Sequence, residues 1–458
     1  MSYLASLLLL TVSAPQPDVI DQYVEAQMKA QHIPGLTILV VLDGKILKRQ
    51  GYGFSHLETK AAAKVEDRFD MGSIGKTFTA TMIMQLVEKG KLKLEDKVSQ
   101  HLSDWPKAWG EITIKQLISH QSGVPEYAGV PTIGLNDTYD AATWKKLMYA
   151  LPLDFKPGQM FQYSNSNFTT LGMILEKVYN KKYIDIVNQQ VFKPAGMKST
   201  VFRTKQGELP KGSAAGYFYG TEWENAGPGG IAATPADGGG FTTVDDLRKF
   251  IEAGRAGKLV KLETLRQMQQ ASLVTSGRTT PYGLGWMVSD TSVSHGGNSV
   301  GFAAAMSTFP AQKLEIYMLC NTYSVLGDGF AAGLAMQLAP ELKPKPVPNA
   351  TDPDPARTAR LLEAFRALAS GNIDDKAFGP DMQARLKTLR GQMALQTMAP
   401  YTKCQALQFT AERDAAPDHI VQYRFVVDGV SRLVEFVITP EGPLYSVRVL
   451  PDPGRGTE

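Results

Sequence analysis

The stretch Ser73-Ile74-Gly75-Lys76 lies where a helix is predicted to begin, and its residue types suggest chemistry. Residues three apart share one helical face, so Lys76 can reach the hydroxyl of Ser73. A helix N-terminus also stabilises negative charge, which predicts a reactive serine, although Ser is equally a favoured N-cap. With a glycine stop at Gly90, we expect a buried helix of about four to five turns. Its apolar stripe recurs at regular spacing: Ile74, Phe78, Met82 and Leu86.

Two further polar clusters are predicted, one in a loop or helix start and one at the entry to a strand. Tyr163-Ser164-Asn165 follows a Pro157-Gly158 turn and precedes a second helical run. Ser294-His295-Gly296-Gly297-Asn298 leads into residues 301–309, an apolar run that predicts a strand. Loops often carry functional side chains, and glycines beside a strand let a backbone or ligand approach closely. Both clusters are therefore candidate parts of a site.

In this order, the patterns Ser-x-x-Lys, Tyr-x-Asn and His-x-Gly resemble the serine β-lactamase and penicillin-binding protein superfamily. Surrounding phrases, such as Ile33-Pro34-Gly35 and residues 117–123, are similar to its class C-like branch of cephalosporinases, D-peptidases, D-aminopeptidases and esterases. The resemblance runs from about residue 17 to about residue 340. It implies an α+β, β-lactamase-like fold: an antiparallel sheet flanked by terminal helices, with a mainly helical lobe.

The first two motifs contain the groups that acyl transfer needs. Ser73 is the candidate nucleophile, and Lys76 can take its proton only in a dry site that favours the neutral amine. Tyr163 can relay the proton to the leaving group and later activate water. Asn165 can orient Lys76 while contacting a substrate carbonyl. Taken singly, Tyr163 and Asn165 would also suit ordinary packing or turn roles, so their joint order carries the interpretation.

The third motif departs from the family pattern at one position. Many members carry Lys where this chain has His295, and that cation helps to hold a substrate carboxylate. A neutral imidazole cannot supply this charge at pH 7, whereas a protonated one could. The resemblance also implies that His295 lines the pocket opposite Tyr163, that Gly296 and Gly297 lie at the substrate, and that the backbone N–H of Asn298 completes an oxyanion hole.

These residues predict a serine hydrolase that forms an acyl-enzyme on Ser73. Its substrate would be an ester, which is narrowly favoured for its better leaving group, or a D-amino-acid peptide or amide. Weak β-lactamase activity is also open. The alternative is a penicillin-recognising sensor or binding protein of the same fold that acylates slowly or not at all.

Composition favours a globular enzyme over a binder of polyanions. The 458 residues are 43% hydrophobic and 20% charged, with a net charge of +3 and no basic cluster, so we expect small-molecule substrates and no nucleic-acid partner. Histidine and cysteine spacing predicts no metal and no cofactor. Cys320 and Cys404 are expected to be free thiols. His120 is expected to hydrogen-bond a loop rather than to touch substrate. The oligomeric state is open.

An apolar run at the start of the chain and a later proline-rich stretch suggest the domain boundaries. Residues 1–16 contain an apolar run of signal-peptide length with no preceding Lys or Arg, which we interpret as an export leader, the alternative being a buried helix. Residues 17–342 would form the hydrolase domain, residues 343–356 a stiff proline-rich linker, and residues 357–458 a small α+β accessory domain with one helix and a strand meander. We therefore expect an exported protein, periplasmic or extracellular, without a transmembrane span.

Turn signals predict two hairpins, and the resemblance implies that they join one antiparallel sheet flanked by terminal helices. An Asp43-Gly44 turn joins residues 37–42 to residues 45–49 as a hairpin, and a second hairpin joins residues 301–309 to residues 313–320. Terminal helices are expected near residues 19–30 and 327–338.

Overall fold

A computed structural model of the protein describes residues 18–130, 132–134, 136–232, 234–373 and 376–454, so the expected leader lies outside the described residues. The helices are α1 (Val19–Ala30), α2 (Gly75–Glu88), α3 (Ile114–Ile118), α4 (Ala141–Met148), α5 (Asn165–Tyr179), α6 (Tyr183–Val187), α7 (Lys193–Ala195), α8 (Val244–Arg255), α9 (Leu262–Met268), α10 (Gly327–Leu338), α11 (Pro355–Ala369), α12 (Pro380–Lys387) and α13 (Leu389–Met398). The strands are β1 (Gly35–Leu42), β2 (Lys45–His56), β3 (Ala61–Ala62), β4 (Phe69–Asp70), β5 (Val201–Phe202), β6 (Tyr217–Tyr219), β7 (Trp223–Asn225), β8 (Gly240–Thr242), β9 (Met287–Val288), β10 (Val293–Ser299), β11 (Phe302–Phe309), β12 (Leu314–Cys320), β13 (Gln408–Ala415), β14 (Asp418–Val427), β15 (Val430–Ile438) and β16 (Leu444–Pro451).

The largest sheet is antiparallel and has the strand order β3-β2-β1-β12-β11-β10-β9. Side chains of β1 alternate between its faces, as a pleated strand requires. Ile38 and Val40 pack with α1 and α10 on one face, whereas Leu39 and Val41 pack against the helical lobe on the other. The sheet is therefore covered on both sides and forms a fixed platform, which confirms the expected α+β architecture.

Local signals placed the sheet elements well. Asp43 and Gly44 adopt φ angles of +47° and +78°, so the turn between β1 and β2 has the left-handed residues that a tight hairpin needs. The second expected hairpin is β11 and β12, joined through a short 3₁₀ turn. Helices α1 and α10 lie where the resemblance implied the terminal helices.

The helix after Ser73 differs from the expectation in two ways. Ser73 lies in a 3₁₀ turn, Gly72–Ile74, and α2 begins only at Gly75. Every residue from Gly75 to Leu86 is buried, so α2 is enclosed by the lobe instead of presenting one apolar stripe. A helix surrounded on all sides needs no polar face, and the stripe was only part of its buried surface.

Residues 355–454, called the C-terminal unit, have their own apolar core. Four antiparallel strands in the order β13-β14-β15-β16 pack against α11, α12 and α13 around Phe365, Tyr423 and Phe436. This α+β arrangement was expected, but α12 and α13 were not, because only one helical run had been recognised there. The proposed domain boundaries and the stiffness of the linker stay predictions.

Two further expectations concern cysteines and membrane helices. Cys320 and Cys404 are free and buried, and burial raises the pKa of the Cys320 thiol to about 12. Of the helices that the structure describes, not one has both the length and the hydropathy of a membrane span.

Candidate active site

Ser73 and Lys76 are in direct contact at the start of α2. Nζ of Lys76 donates to Oγ of Ser73 at 2.9 Å. It also donates to Oδ1 of Asn165 at 2.7 Å and to the backbone oxygen of Asp237 at 2.5 Å. The lysine side chain is fully buried, so these three oxygens fix its position in a site with little competing water.

Tyr163 lies beside the same amine. Nζ of Lys76 is 5.0 Å from the centroid of the Tyr163 ring. This ring packs on the imidazole of His120, with 4.2 Å between the centroids, and Nδ1 of His120 accepts the N–H of Ser164 at 3.1 Å. His120 therefore binds the loop, as expected, and it also supports the tyrosine that the loop carries.

Strand β10 passes close to the turn that carries Ser73. A Cβ on Gly72 would lie 2.8 Å from the backbone nitrogen of Asn298, and a Cβ on Gly297 would lie 3.0 Å from the backbone nitrogen of Ser73. Neither position has room for a side chain, and Gly72 also has a φ of +49°. The two glycines thus let the peptide of Asn298 approach the turn of Ser73, where an oxyanion hole is expected.

A cavity of about 510 Å³ opens over Ser73 and Asn165. Its wall combines apolar, tyrosine and acidic side chains. The guanidinium of Arg203 donates to the carbonyls of Gly229 and Gly230 at 3.0 and 2.6 Å, so much of its hydrogen-bonding capacity holds a loop of the wall. The wall includes Ser73, Tyr139, Asn165, Arg203, Asp237 and Asn298.

His295 is buried and neutral. Its Nδ1–H donates to the carbonyl of Gly296 at 2.7 Å, and its Nε2 accepts from the hydroxyl of Tyr282 at 2.9 Å. Burial, together with the charge of Lys76, lowers the pKa of His295 to about 3. The ring faces Tyr163, with 6.3 Å between centroids, but it is not among the side chains that line the cavity.

Gly296 faces the opposite side of β10 from His295 and Gly297. A Cβ at this position would lie 2.6 Å from Oδ2 of Asp328, at the start of α10. A side chain at position 296 would therefore face the side of the sheet that α10 covers, and the glycine leaves room there for the buried carboxylate of Asp328. Burial raises the pKa of Asp328 to about 6.

Two buried acids that the sequence analysis missed support the site. Oδ2 of Asp237 accepts from the hydroxyl of Tyr127 at 2.6 Å, and burial raises the pKa of Asp237 although the Lys76 charge opposes this. Oε2 of Glu126 accepts the backbone N–H of Asn165 at 2.9 Å. A run of glycines directly after Asp237 was a usable signal for it; nothing local marked Glu126.

Within the described ranges, no three His, Cys, Asp or Glu side chains gather as a metal site would require. The expected lack of a metal or other cofactor stays a prediction.

Comparisons with known proteins place this geometry in a family. A family model described as Beta-lactamase matches residues 20–340. Protein flp of Staphylococcus aureus (strain MW2) is 28% identical over 320 residues, which are 67% of this chain and 63% of that protein, so the chain spans less than two thirds of this relative.

Solved structures show the same fold. An octameric penicillin-binding protein homologue from Pyrococcus abyssi aligns with a TM-score of 0.61 at 21% identity, covering 94% of this chain and 97% of that one. A penicillin binding protein from Bacillus halodurans aligns with a TM-score of 0.57 at 25% identity, covering 68% of this chain and 98% of that one. The first of these likenesses extends over the C-terminal unit as well as the region with the three motifs.

Proposed function

Because the chain belongs to the beta-lactamase family, we propose that it is a serine hydrolase that forms an acyl-enzyme on Ser73 and acts on an ester or a D-amino-acid amide or peptide. The contact of 2.9 Å between Lys76 and Ser73 carries this proposal. The charged amine donates to all three oxygens; after it loses one proton, the amine has two N–H groups and one lone pair. Its N–H groups would bind the carbonyl oxygens of Asn165 and Asp237, leaving the lone pair to face the Ser73 hydroxyl.

The proposed reaction has two stages. Oγ of Ser73 attacks the substrate carbonyl carbon while its proton passes to Lys76, and the N–H groups of Ser73 and Asn298 stabilise the oxyanion. The bond to the leaving group then breaks as Tyr163 delivers a proton to the departing oxygen or nitrogen. Water, deprotonated by the same groups, attacks the acyl ester, which releases the acid and restores Ser73.

The neutral state of His295 supports substrates without a carboxylate at this position. With a pKa of about 3, His295 supplies no cation at neutral pH where many relatives have Lys. Esters and simple amides do not need that cation, whereas carboxylate-bearing β-lactams gain from it. Weak β-lactamase activity is therefore the lesser part of the proposal.

A second candidate is a penicillin-recognising protein that acylates slowly or not at all. The observation that favours it is the match, at 25% identity, to a protein named as a penicillin binding protein.

The proposal has two further parts. We propose that the protein is exported, because residues 4–14 form an apolar run, and that residues 357–458 are an accessory domain.

A fluorophosphonate probe tests the proposal directly. Intact-mass measurement and peptide mapping should find one label, on Ser73, and Ser73→Ala should abolish it. The wild type should turn over a chromogenic short-chain ester or a D-amino-acid anilide faster than a chromogenic cephalosporin. A stable penicilloyl adduct without ester or amide turnover would favour the second candidate, and a label on another residue would overturn both.

A further inference from the structure

The C-terminal unit touches the two loops that carry Tyr163 and Tyr282. We propose that it positions these candidate active-site groups through a clamp, defined as the contacts Arg278–Asp418 and Gln159–Asp381. This inference rests on the proposed function, because it assigns the clamp an effect on turnover at Ser73.

The first contact of the clamp is a buried, bidentate ion pair. Nε and Nη2 of Arg278 donate to the two carboxylate oxygens of Asp418 at 2.6 and 2.7 Å. The side chains are only 12% and 5% exposed. The guanidinium also lies 4.2 Å from the ring centroid of Tyr445 on β16. Paired donors and a stacked ring fix orientation as well as distance, so this contact holds Arg278 in one geometry.

Arg278 belongs to a hairpin that ends at Tyr282, the residue whose hydroxyl contacts His295. Within residues 272–282, the N–H of Val274 donates to the carbonyl of Arg278 at 3.0 Å, and the N–H of Ser272 donates to the carbonyl of Tyr282 at 2.9 Å. The hydroxyl of Tyr282 then contacts His295 at 2.9 Å. A ladder of backbone bonds thus connects the ion pair to the third motif.

The second contact holds the loop that leads to Tyr163. Nε2 of Gln159 donates to Oδ1 of Asp381, near the start of α12, at 2.6 Å. The neighbouring carbonyl of Gly158 accepts the N–H of Thr275 from the hairpin at 2.8 Å. The two loops are therefore bonded to each other as well as to the C-terminal unit.

This arrangement matters because proton transfer depends on exact placement. The rings of Tyr163 and His295 are neighbours, with 6.3 Å between their centroids, and the centroid of the Tyr163 ring lies 5.0 Å from Nζ of Lys76. A misplacement of about 1 Å can lower a rate roughly a hundredfold. Loops without such restraint sample several positions, so releasing the clamp should reduce turnover without removing any group from the site.

Asp418→Asn in the full chain tests the clamp, with Asp452→Asn as the matched control. Asp452 forms an equally buried pair with Arg424 inside the C-terminal unit, away from both loops. We measure kcat with a chromogenic ester and divide by the concentration of reactive Ser73, which is counted by labelling a separate portion of the same sample with the probe. Asp418→Asn and Gln159→Met should each lower it about tenfold or more, the exchanged pair Arg278→Asp with Asp418→Arg should recover part of the loss, and Asp452→Asn should leave it unchanged.

Active-site counting separates positioning from folding. A folding defect lowers the fraction of molecules with a reactive Ser73 but leaves kcat per reactive site unchanged, and that result would overturn the clamp. Hydrogen exchange gives a readout that does not depend on activity: residues 157–163 and 272–282 should exchange faster in Asp418→Asn than in Asp452→Asn. Equal exchange in the two variants would also overturn it. A wild type without label or turnover, but with the expected exchange, would overturn the proposed function instead.

Discussion

The hydroxyl of Tyr282 lies 2.9 Å from Nε2 of His295, and it fixes this imidazole as a neutral acceptor. The other ring nitrogen donates to the carbonyl of Gly296, so both nitrogens are used inside the protein. Burial raises the pKa of Tyr282 well above its usual range, which keeps its hydroxyl able to donate. The third motif therefore offers no charge to a substrate, and His295 has the role of a packed wall behind Tyr163.

Tyr282→Phe should cost both stability and turnover. It leaves Nε2 of His295 buried without its donor, which lowers the free energy of unfolding by about 1–3 kcal/mol. Because His295 can then shift against Tyr163, kcat for an ester should fall while KM stays nearly constant. Tyr423→Phe, which removes a hydroxyl hydrogen-bonded to Thr358 in the C-terminal unit, is the control. Equal kcat in the two variants would contradict the positioning role.

His295→Lys should shift the substrate preference. A cation at this position can hold a β-lactam carboxylate, so acylation by a cephalosporin should rise relative to ester hydrolysis. The measurement is the ratio of the two rate constants, taken with a thermal melt because the longer side chain must fit a buried position. A folded variant with an unchanged ratio would reject this account of specificity.

Removing the proposed proton-transfer groups should leave binding but not turnover. Ser73→Ala should lose essentially all ester hydrolysis. Lys76→Ala and Tyr163→Phe should each lose about a hundred- to ten-thousand-fold in kcat, the usual value of one acid–base group. Lys89→Ala, at the exposed end of the same helix, is the control. Near-wild-type activity in Lys76→Ala would exclude this lysine as the base.

Stability should depend on pH through two groups with opposite signs. His295 has a folded pKa of about 3 against an ordinary 6.5, so its contribution is complete above pH 6.5 and is lost as the pH falls toward 3, where the unfolded chain takes up the proton first. Asp328 has a folded pKa of about 6 against an ordinary 3.8, so its contribution is present below 3.8 and is lost as the pH rises through 6.

Asp328→Asn removes the second of these effects. Its free energy of unfolding should therefore fall more steeply than that of the wild type between pH 6 and pH 4, as measured by urea unfolding across that range. Asp290→Asn, in an exposed loop, should follow the wild type. Parallel curves for Asp328→Asn and the wild type would show that this carboxyl does not titrate as its burial implies.

Truncation near Asn349 should separate labelling from turnover. The three motifs and their direct contacts precede this position, so the shortened chain should fold and still react with the probe at Ser73. Its kcat per reactive Ser73 should be lower than that of the full chain, because the clamp is gone. Circular dichroism and cooperative melting check the fold. A folded fragment that no longer labels would show that the C-terminal unit completes the site itself.

Much of the fold was predictable because its signals are local. The turn at Asp43 and Gly44 and the four strands of the C-terminal unit follow from turn chemistry and side-chain periodicity, whereas the positions of α1 and α10 followed from the family resemblance. Periodicity was less informative for α2, since a helix buried on every side has no polar face to mark its orientation. It also missed α12 and α13.

By itself, the sequence determined which groups meet at Ser73, since three motifs in a specific order identify the family and a spacing of three residues brings Lys76 to the serine. Only the tertiary structure decided what surrounds them. The carbonyl of Asp237 reaches Lys76 across 161 positions, and Asp418 reaches Arg278 across 140. The charge state of His295 was likewise decided by burial against Tyr282. Contacts between segments so far apart leave no periodic or local signal, because they depend on how the sheet, the lobe and the C-terminal unit pack.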